Sequence, residues 1–422
     1  MQNSLFSLRL AEEADLPTIA RLTRFAFVPT QSDQQVQDGW FGQGVQFPDR
    51  QRWVAKDAQT DRVVGTYAEL DLQIACLGRI IPAIGVAGVA VAPECRGQRI
   101  AQTMMIQAIH RAYANNVPLL ALYPFQHGFY RSLGWGWVGQ VHQYPIAPQH
   151  LPKYPRSGLV QPISPTEQPA VQALYQQVAL RNNGWLLRSD RQWEAFFQPI
   201  PGQDLWGYWD GETLLGYVLL GVEQQAIYGT KPIAVVREWV ALNLAGYRGL
   251  LTFLSSLRDQ FSLLIWHTHS GDPFPHLLQQ QDRVLPQGHD RILLRFSHRL
   301  GEIGSSFMWR LVDCQAALNC RPVQPTVPFS FALQVQDVIL GDSQWWVDCA
   351  DGRMTCTPSR SLAEAPAILT LSIEPLSVLF SGARTIHDLL WTEEAQWQGD
   401  RSILANFAQA WQTPPPFCWD FF

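Results

Sequence analysis

The chain has 422 residues, 47% of them hydrophobic and 16% charged, with a formal net charge of -5. That length exceeds one ordinary core, so two or three domains are expected. No Lys/Arg run or basic stripe appears, which argues against a nucleic-acid partner, and a mildly acidic chain suits a cationic one. No stretch approaches the ~20 apolar residues of a membrane span, and acidic Glu12, Glu13 and Asp15 stand where a leader peptide needs an apolar run. Cys76, Cys95, Cys314, Cys320, Cys349, Cys356 and Cys418 are scattered without a CxxC pair. Zinc-ribbon and disulfide-framework readings therefore fail, and a reducing, cytoplasmic setting is expected. The 17 Trp and 21 Phe predict buried aromatic clusters or aromatic-lined pockets.

Leu8 and Leu10 alternate with polar residues as in a strand, and Ile19, Leu22 and Phe25 then keep a helical period. Strands are predicted at 52–56 and 62–74 with a turn over 57–61, and a small-residue apolar strand at 84–91. A helix follows over 99–115, with Ile100, Met104, Ala108 and Tyr113 on one face, then a buried strand at 119–123. Prolines 145, 148, 152, 155, 162, 165 and 169 read as an interdomain linker. Beyond them, an Asp210-Gly211 hairpin turn, a strand at 235–243, a helix at 246–261 and a strand at 263–267 repeat the strand–helix–strand order of residues 84–123. A degenerate second copy of one unit is the reading, with two unrelated units as the alternative. From Met308 the pattern changes: Leu333 to Asp337 alternates strictly, Trp345 to Val347 and 367–373 read as strands, and 374–379 as a helix. A third, α+β domain is expected there. The chain closes on Phe417-Cys418-Trp419-Asp420-Phe421-Phe422, too aromatic for a solvated tail.

The chemistry concentrates at Val89-Ala90-Val91-Ala92-Pro93-Glu94-Cys95-Arg96-Gly97-Gln98-Arg99-Ile100-Ala101. A strand ends, a polar turn follows and a helix begins, so unpaired N–H groups and the positive end of the helix dipole can cradle a pyrophosphate. Gly97 permits close approach, Ala101 keeps the helix near the ligand, and Arg96 and Arg99 add charge.

This segment resembles the signature of the GNAT acetyltransferases, Arg/Gln-x-x-Gly-x-Gly/Ala, with Arg99 where the second glycine stands. Phe129-Tyr130 followed by Leu133-Gly134-Trp135 looks like a further GNAT stretch. Over its whole length the chain resembles the enhanced intracellular survival (Eis) acetyltransferases. The resemblance implies an α/β and α+β multidomain fold: two GNAT domains in tandem, a catalytic one at 1–145 and a degenerate one at 146–300, then a sterol-carrier-protein-like domain at 301–422. It implies acetyl-CoA as cosubstrate and no metal. The coenzyme falls to Val89, Ala90, Val91, Arg96, Gly97, Gln98, Arg99, Ile100, Ala101, Gln102, Phe125 and Gln126. Tyr130 is the implied acid for the thiolate, and the C-terminal carboxylate, at Phe422, the implied base. With an ordinary pKa of about 3.5, such a carboxylate acts through water or by holding the cationic amine. A core aromatic is the alternative for Tyr130, and a plain apolar plug the alternative for Trp419 to Phe422.

The resemblance further implies a small-molecule amine acceptor of the aminoglycoside or polyamine type and a homo-oligomer, a hexamer in that family. Protein lysine acetylation and a lipid-binding scaffold with a vestigial GNAT domain are the other readings. Trp40, Phe41, Phe25 and Phe27 could wall an acceptor pocket or fill a core, with Glu69 or Asp71 to attract a cation. His267 and His269 share a strand face and read as a structural pair, since Asp272 is the one nearby carboxylate. Cys95 lacks a local base, and direct transfer is expected rather than a cysteine relay.

Overall fold

The alternation near the N-terminus becomes an antiparallel run of four strands, β1 (Phe6–Leu10), β2 (Arg50–Asp57), β3 (Val63–Cys76) and β4 (Arg79–Val91). The computed structural model describes residues 6–42, 44–155, 158–224, 231–280, 300–358, 362 and 364–422. Helices α1 (Leu16–Phe27) and α2 (Asp33–Phe41) join β1 to β2. A capping box closes the start of α2: Ser32 accepts from the Gln35 N–H, and the Gln35 side chain accepts from the Ser32 N–H. Helix α3 (Ile100–Ala114) carries the chain from β4 to β5 (Leu119–Leu122), which lies parallel to β4. Its buried face is Ile100, Met104, Met105, Ala108, Ile109 and Ala112. Tyr113, expected on that face, is 55% exposed, because it sits five residues beyond Ala108 and turns off the stripe.

Two features of β4 shape everything around it. It pairs with β5 only from Ala83 to Val86. Opposite β3, the register passes from Thr66↔Ala90 to Ala68↔Ala87, so two residues of β4 face one of β3. Gly88 holds φ +59° inside this bulge, a conformation open to glycine. A bulge bends its strand, and β4 continues to Val91 without a neighbour on the β5 side among the described residues.

The sheets do not respect the expected domain limits at 145 and 300. Gln140–Ile146 lies in a seven-stranded second sheet, as does Glu302–Ser305, whereas Met308–Leu311 returns to the first sheet between β5 and Gly136–Trp137. Met308–Leu311 is buried at every position. Such a run announces a strand covered on both faces but not the sheet it joins. Asn183–Leu186 also crosses over to pair with β3. The expected proline linker is in part sheet: Gln140–Ile146 and Leu159–Pro162 are both strands. Pro145 is tolerated because Glu302–Ser305 pairs only with 140–143, leaving Pro145 a partner on one side.

A third, five-stranded sheet begins at Phe329. Its layer covers the face of the first sheet turned away from α3. Leu70, Leu72, Ile81 and Trp309 share one core there with Phe331, Leu369 and Leu376.

Arg310 fastens this joint. It is fully buried, donates to the Leu133 and Leu311 carbonyls, and grips Asp337 with Nη2 at 2.9 and 2.8 Å from the two carboxylate oxygens. Removing one member of a buried pair strands the other charge. Arg310→Met is expected to cost about 3–5 kcal/mol of unfolding free energy, read from the denaturant midpoint. A loss within ~0.5 kcal/mol, the range of ordinary surface substitutions, would show that the pair is dispensable.

Candidate active site

The turn after β4 is built to face a ligand with its backbone. Gly97 holds φ +81° and Arg99 φ +61°, two left-handed residues in three. The Gly97 Cα has nothing within 4 Å in the direction a side chain would take. Arg99 explains why the signature has glycine there: the position is left-handed, and a side chain tolerates it at a cost of about 1–2 kcal/mol. Arg96, Gly97, Gln98 and Arg99 are all exposed, whereas Ile100 is buried and anchors the helix start. The first N–H groups of α3, at Ile100, Ala101 and Gln102, have no intrahelical acceptor. The free edge of β4 at Val89, Ala90 and Val91 adds donors beside the gap toward β5. These groups fit an elongated coenzyme with a pyrophosphate at the turn and a thioester at the bend.

Tyr130 lies in the short helix α4 (His127–Arg131), 2% exposed. The rings of Phe125, Phe129 and Trp135 stand 5.5, 4.9 and 5.9 Å from its own. Phe125 itself is 65% exposed, and Gln126 precedes the helix as its N-cap. Burial pushes the Tyr130 phenol well above its ordinary pKa, so it is protonated at neutral pH. Its hydroxyl donates to no group among the described residues. Tyr130 packs with Val86 and Leu122 on the α3 side of the sheet.

The C-terminus reaches the same two strands from the opposite face. A Cβ on Gly85 of β4 would stand 2.8 Å from the Phe422 ring, and Phe422 meets Tyr123, the residue after β5, edge to face at 5.2 Å. No hydrogen bond joins Tyr130 to Phe422 among the described residues. Phe421 and Phe422 border a cleft of about 570 Å³ that also includes Leu70, Asp71, Arg188 and Glu238. A neighbouring cavity of about 670 Å³ shares Asp49, Asp71 and Arg188 and adds Asp190 and Trp193. Arg52, unremarked in the sequence, is 7% exposed beneath Phe41 and 3.6 Å from where a Cβ on Gly88 would lie. Burial, with Arg50 nearby, pushes it down to about 10, so it is charged at neutral pH. Its Nε has no acceptor among the described residues.

Of the aromatic wall, Phe41 is core, while Phe25, Phe27 and Trp40 are exposed, with Phe27 and Trp40 stacked at 6.2 Å. Glu69 is not free for a cation. It is buried and accepts from Arg111 of α3 at 2.5 Å and from the Tyr67 hydroxyl at 3.0 Å. Asp71 is exposed in the cleft. His267 bonds Gln143 at 3.1 Å, and His269 accepts from the Gly271 N–H at 3.1 Å; both rings serve the chain itself.

The second sheet repeats the parallel pair, with Ile233–Val236 beside Leu263–Trp266, but its helix start is closed. The Asn243 side chain accepts from the Gly246 N–H, and a Cβ on Gly246 would lie 2.0 Å from the Leu215 carbonyl. Phe417 packs against Tyr217 and Val240 there. That unit offers no cradle.

Residues 7–138 match the model of an acetyltransferase (GNAT) domain, residues 184–299 a second acetyltransferase (GNAT) domain, and residues 314–419 a sterol carrier protein domain. N-acetyltransferase Eis of Mycobacterium bovis is 27% identical over 338 residues, 76% of each chain, and N-acetyltransferase Eis of Mycobacterium tuberculosis gives the same figures. The crystal structure of a GCN5-related N-acetyltransferase from Anabaena variabilis superposes with a TM-score of 0.83 at 22% identity, covering 99% of this chain and 100% of that one. Eis1 from Mycobacterium abscessus superposes at 0.76 and 18% identity, with 99% and 100% coverage. Residues 7–138 and 184–299 are thus two acetyltransferase (GNAT) domains, and the chain, similar to the Eis proteins, is an acetyl-CoA-dependent N-acetyltransferase.

Proposed function

We propose that the first domain moves acetyl from acetyl-CoA directly to a primary amine of a polycationic small molecule of the aminoglycoside or polyamine type. The Phe422 ring, seated on Gly85 and Tyr123 where β4 and β5 begin to part, supports the reading. From there the terminal carboxylate would reach the bend where the thioester would lie. The flanking cavities bear Asp71 and Asp190, carboxylates suited to further ammonium groups, and Asp49, which already pairs with Arg191 at 3.5 Å. A protein lysine would use one of these sites; a polyamine uses several.

In this mechanism the terminal carboxylate holds the incoming ammonium and takes its proton, directly or through water. The Arg52 charge beneath the bend favours the neutral form of an amine brought there. The amine nitrogen then attacks the acetyl carbonyl. Negative charge on the carbonyl oxygen meets N–H groups on the free edge of β4. The carbon–sulfur bond breaks as the Tyr130 hydroxyl gives its proton to the thiolate; the second proton of the nitrogen leaves to water as the amide forms, and water returns a proton to the phenolate. Burial that raises the phenol raises a thiolate in the same apolar pocket too, so the proton stays transferable. Arg96, Arg99 and the N–H groups of Gly97 to Gln102 would hold the phosphates, with Phe125 and Gln126 along the coenzyme.

Thiol release from acetyl-CoA against aminoglycosides, polyamines and lysine peptides tests the acceptor class; turnover confined to the peptides would sink it. Tyr130→Phe and deletion of Phe422 are each expected to lower kcat about a hundredfold or more, with acetyl-CoA affinity unchanged by calorimetry. Unchanged kcat in either variant removes that group from the mechanism. Arg99→Gly relieves the left-handed turn. It is expected to raise unfolding free energy by about 0.5–1 kcal/mol or leave it level, since glycine's unfolded-state entropy offsets part of the gain. It should weaken acetyl-CoA only by the loss of one exposed charge. Clear destabilisation would show that the side chain, not the backbone, holds the turn.

A further inference from the structure

The terminus has a holder. Asp420, two residues before the end, is gripped through both its side chain and its backbone. Arg188 Nε donates to one Asp420 carboxylate oxygen at 2.6 Å, and the Tyr175 hydroxyl donates to the other at 3.0 Å. The Tyr123 hydroxyl donates to the Asp420 carbonyl at 2.5 Å. Arg188 is itself fixed. It makes a two-pronged contact with Glu238, which also accepts from the Tyr217 hydroxyl at 2.5 Å. Its guanidinium carbon lies 4.2 to 4.8 Å from the ring centres of Tyr175, Phe196 and Trp193. The Arg188 and Glu238 side chains are 2% and 4% exposed, and that of Asp420 15%.

The arrangement is asymmetric in a telling way. Arg188 already has Glu238 as a full counter-ion, so Asp420 is not needed to neutralise it. Burial pushes the Glu238 carboxyl upward even against the guanidinium, and the Asp420 charge adds to that rise. Upstream, the tail has its own anchors: the Phe417 N–H donates to the Asn183 carbonyl, and the Asn183 amide to the carbonyls of Ser381 and Pro414. Beyond Asp420, Phe421 is 83% exposed. Phe421 touches the Tyr123 ring at 4.8 Å, so among the described residues Asp420 is the last point before Phe422 at which hydrogen bonds fix the chain.

We infer that Arg188, Tyr175 and Tyr123 form a clamp on Asp420 that positions the last two residues at the acetyl-transfer site, making these four positioning residues for the reaction. Arg188 and Tyr175 belong to the second GNAT domain and Tyr123 to the first, so the clamp gives the degenerate domain a part in catalysis without a ligand of its own. The inference rests on the proposed role of the Phe422 carboxylate.

Asp420→Ala tests it without stranding a charge, because Arg188 and Glu238 remain a neutral pair; Arg188→Met would leave two buried carboxylates and risks the fold. In the full-length enzyme, with kanamycin as acceptor (or the fastest amine of the panel above), Asp420→Ala is expected to lower kcat about a hundredfold, the scale of a misplacement near 1 Å. Acetyl-CoA affinity should stay within about twofold, since the cradle is untouched. Carboxypeptidase Y should release Phe422 roughly tenfold faster than from the unaltered enzyme, reporting a freed terminus. Asp420→Asn, which keeps the acceptor oxygen, should recover part of both. Wild-type rates of turnover and release in Asp420→Ala would overturn the clamp, as would a kcat loss accompanied by lost acetyl-CoA binding. If deletion of Phe422 is harmless, the base proposal fails and the catalytic sense of the clamp with it. If that deletion is harmful while Asp420→Ala is silent, the clamp alone fails.

Discussion

The parting of β4 from β5 after four paired residues is the constraint on which the site depends. A parallel pair normally consumes its N–H and C=O groups. Here the bulge at Gly88 turns β4 away and leaves its edge open from Ala87 to Val91. Unpaired backbone groups are costly in an interior and useful where a polar ligand will meet them. The turn that follows repeats the tactic, with Gly97 and Arg99 bending left-handed so that N–H groups face outward rather than inward. Both features are backbone properties. That is why the motif survives the change of its second glycine to arginine.

The second strand–helix–strand unit shows the same geometry put to another use. Its parallel pair also diverges, yet Asn243 caps the helix start and Gly246 lets the helix press onto the Leu215 carbonyl. Donors that would meet a phosphate are spent or covered. The aromatic surface that remains packs Phe417 and Trp419. The unit thus trades a ligand for a segment of its own chain, and its buried Arg188 holds that segment by charge. The two units share a shape and differ in the first helical turn, open after Arg99 in one and capped by Asn243 in the other.

Much of this was legible in the residues, and the limits follow from physics. Local order came through where one periodicity ruled: α3, β3, the Asp210-Gly211 hairpin and the alternating strand at Phe329–Gln336 all lie within a few residues of their expected places. The turn between β4 and α3 was legible because a strand ends and a helix begins around Gly97, which takes a left-handed conformation there. Sheet membership was not. Met308-Trp309-Arg310-Leu311 is apolar on both faces apart from one arginine, and nothing local says that it returns to the first sheet. The prolines misled because Pro145 needs only a free N-side neighbour to sit in a strand, a property of its partners rather than of its own segment. Glu69 looked available for a cation because its partner Arg111 lies on a different element. Arg188 carried a signal that pattern reading passes over: a lone charge directly after the apolar run Trp185-Leu186-Leu187.

Seating the aromatic segment from Phe417 to Phe422 costs about 1–2 kcal/mol for each backbone unit fixed. The fold answers with two kinds of contact in series. Phe417 and Trp419 fill apolar space, which sets where the tail runs but not how far it extends. Hydrogen bonds to Asp420 are directional and set the last step. They come from two domains at once, through Tyr123 and through Arg188 with Tyr175. A shift of either domain relative to the other would move the end of the chain before it moved the turn between β4 and α3, which lies within the first sheet's own strand–helix–strand unit. In the proposed mechanism coenzyme binding and the placement of the terminus thus draw on separate parts of the molecule, and the second is the part that depends on how the domains are assembled.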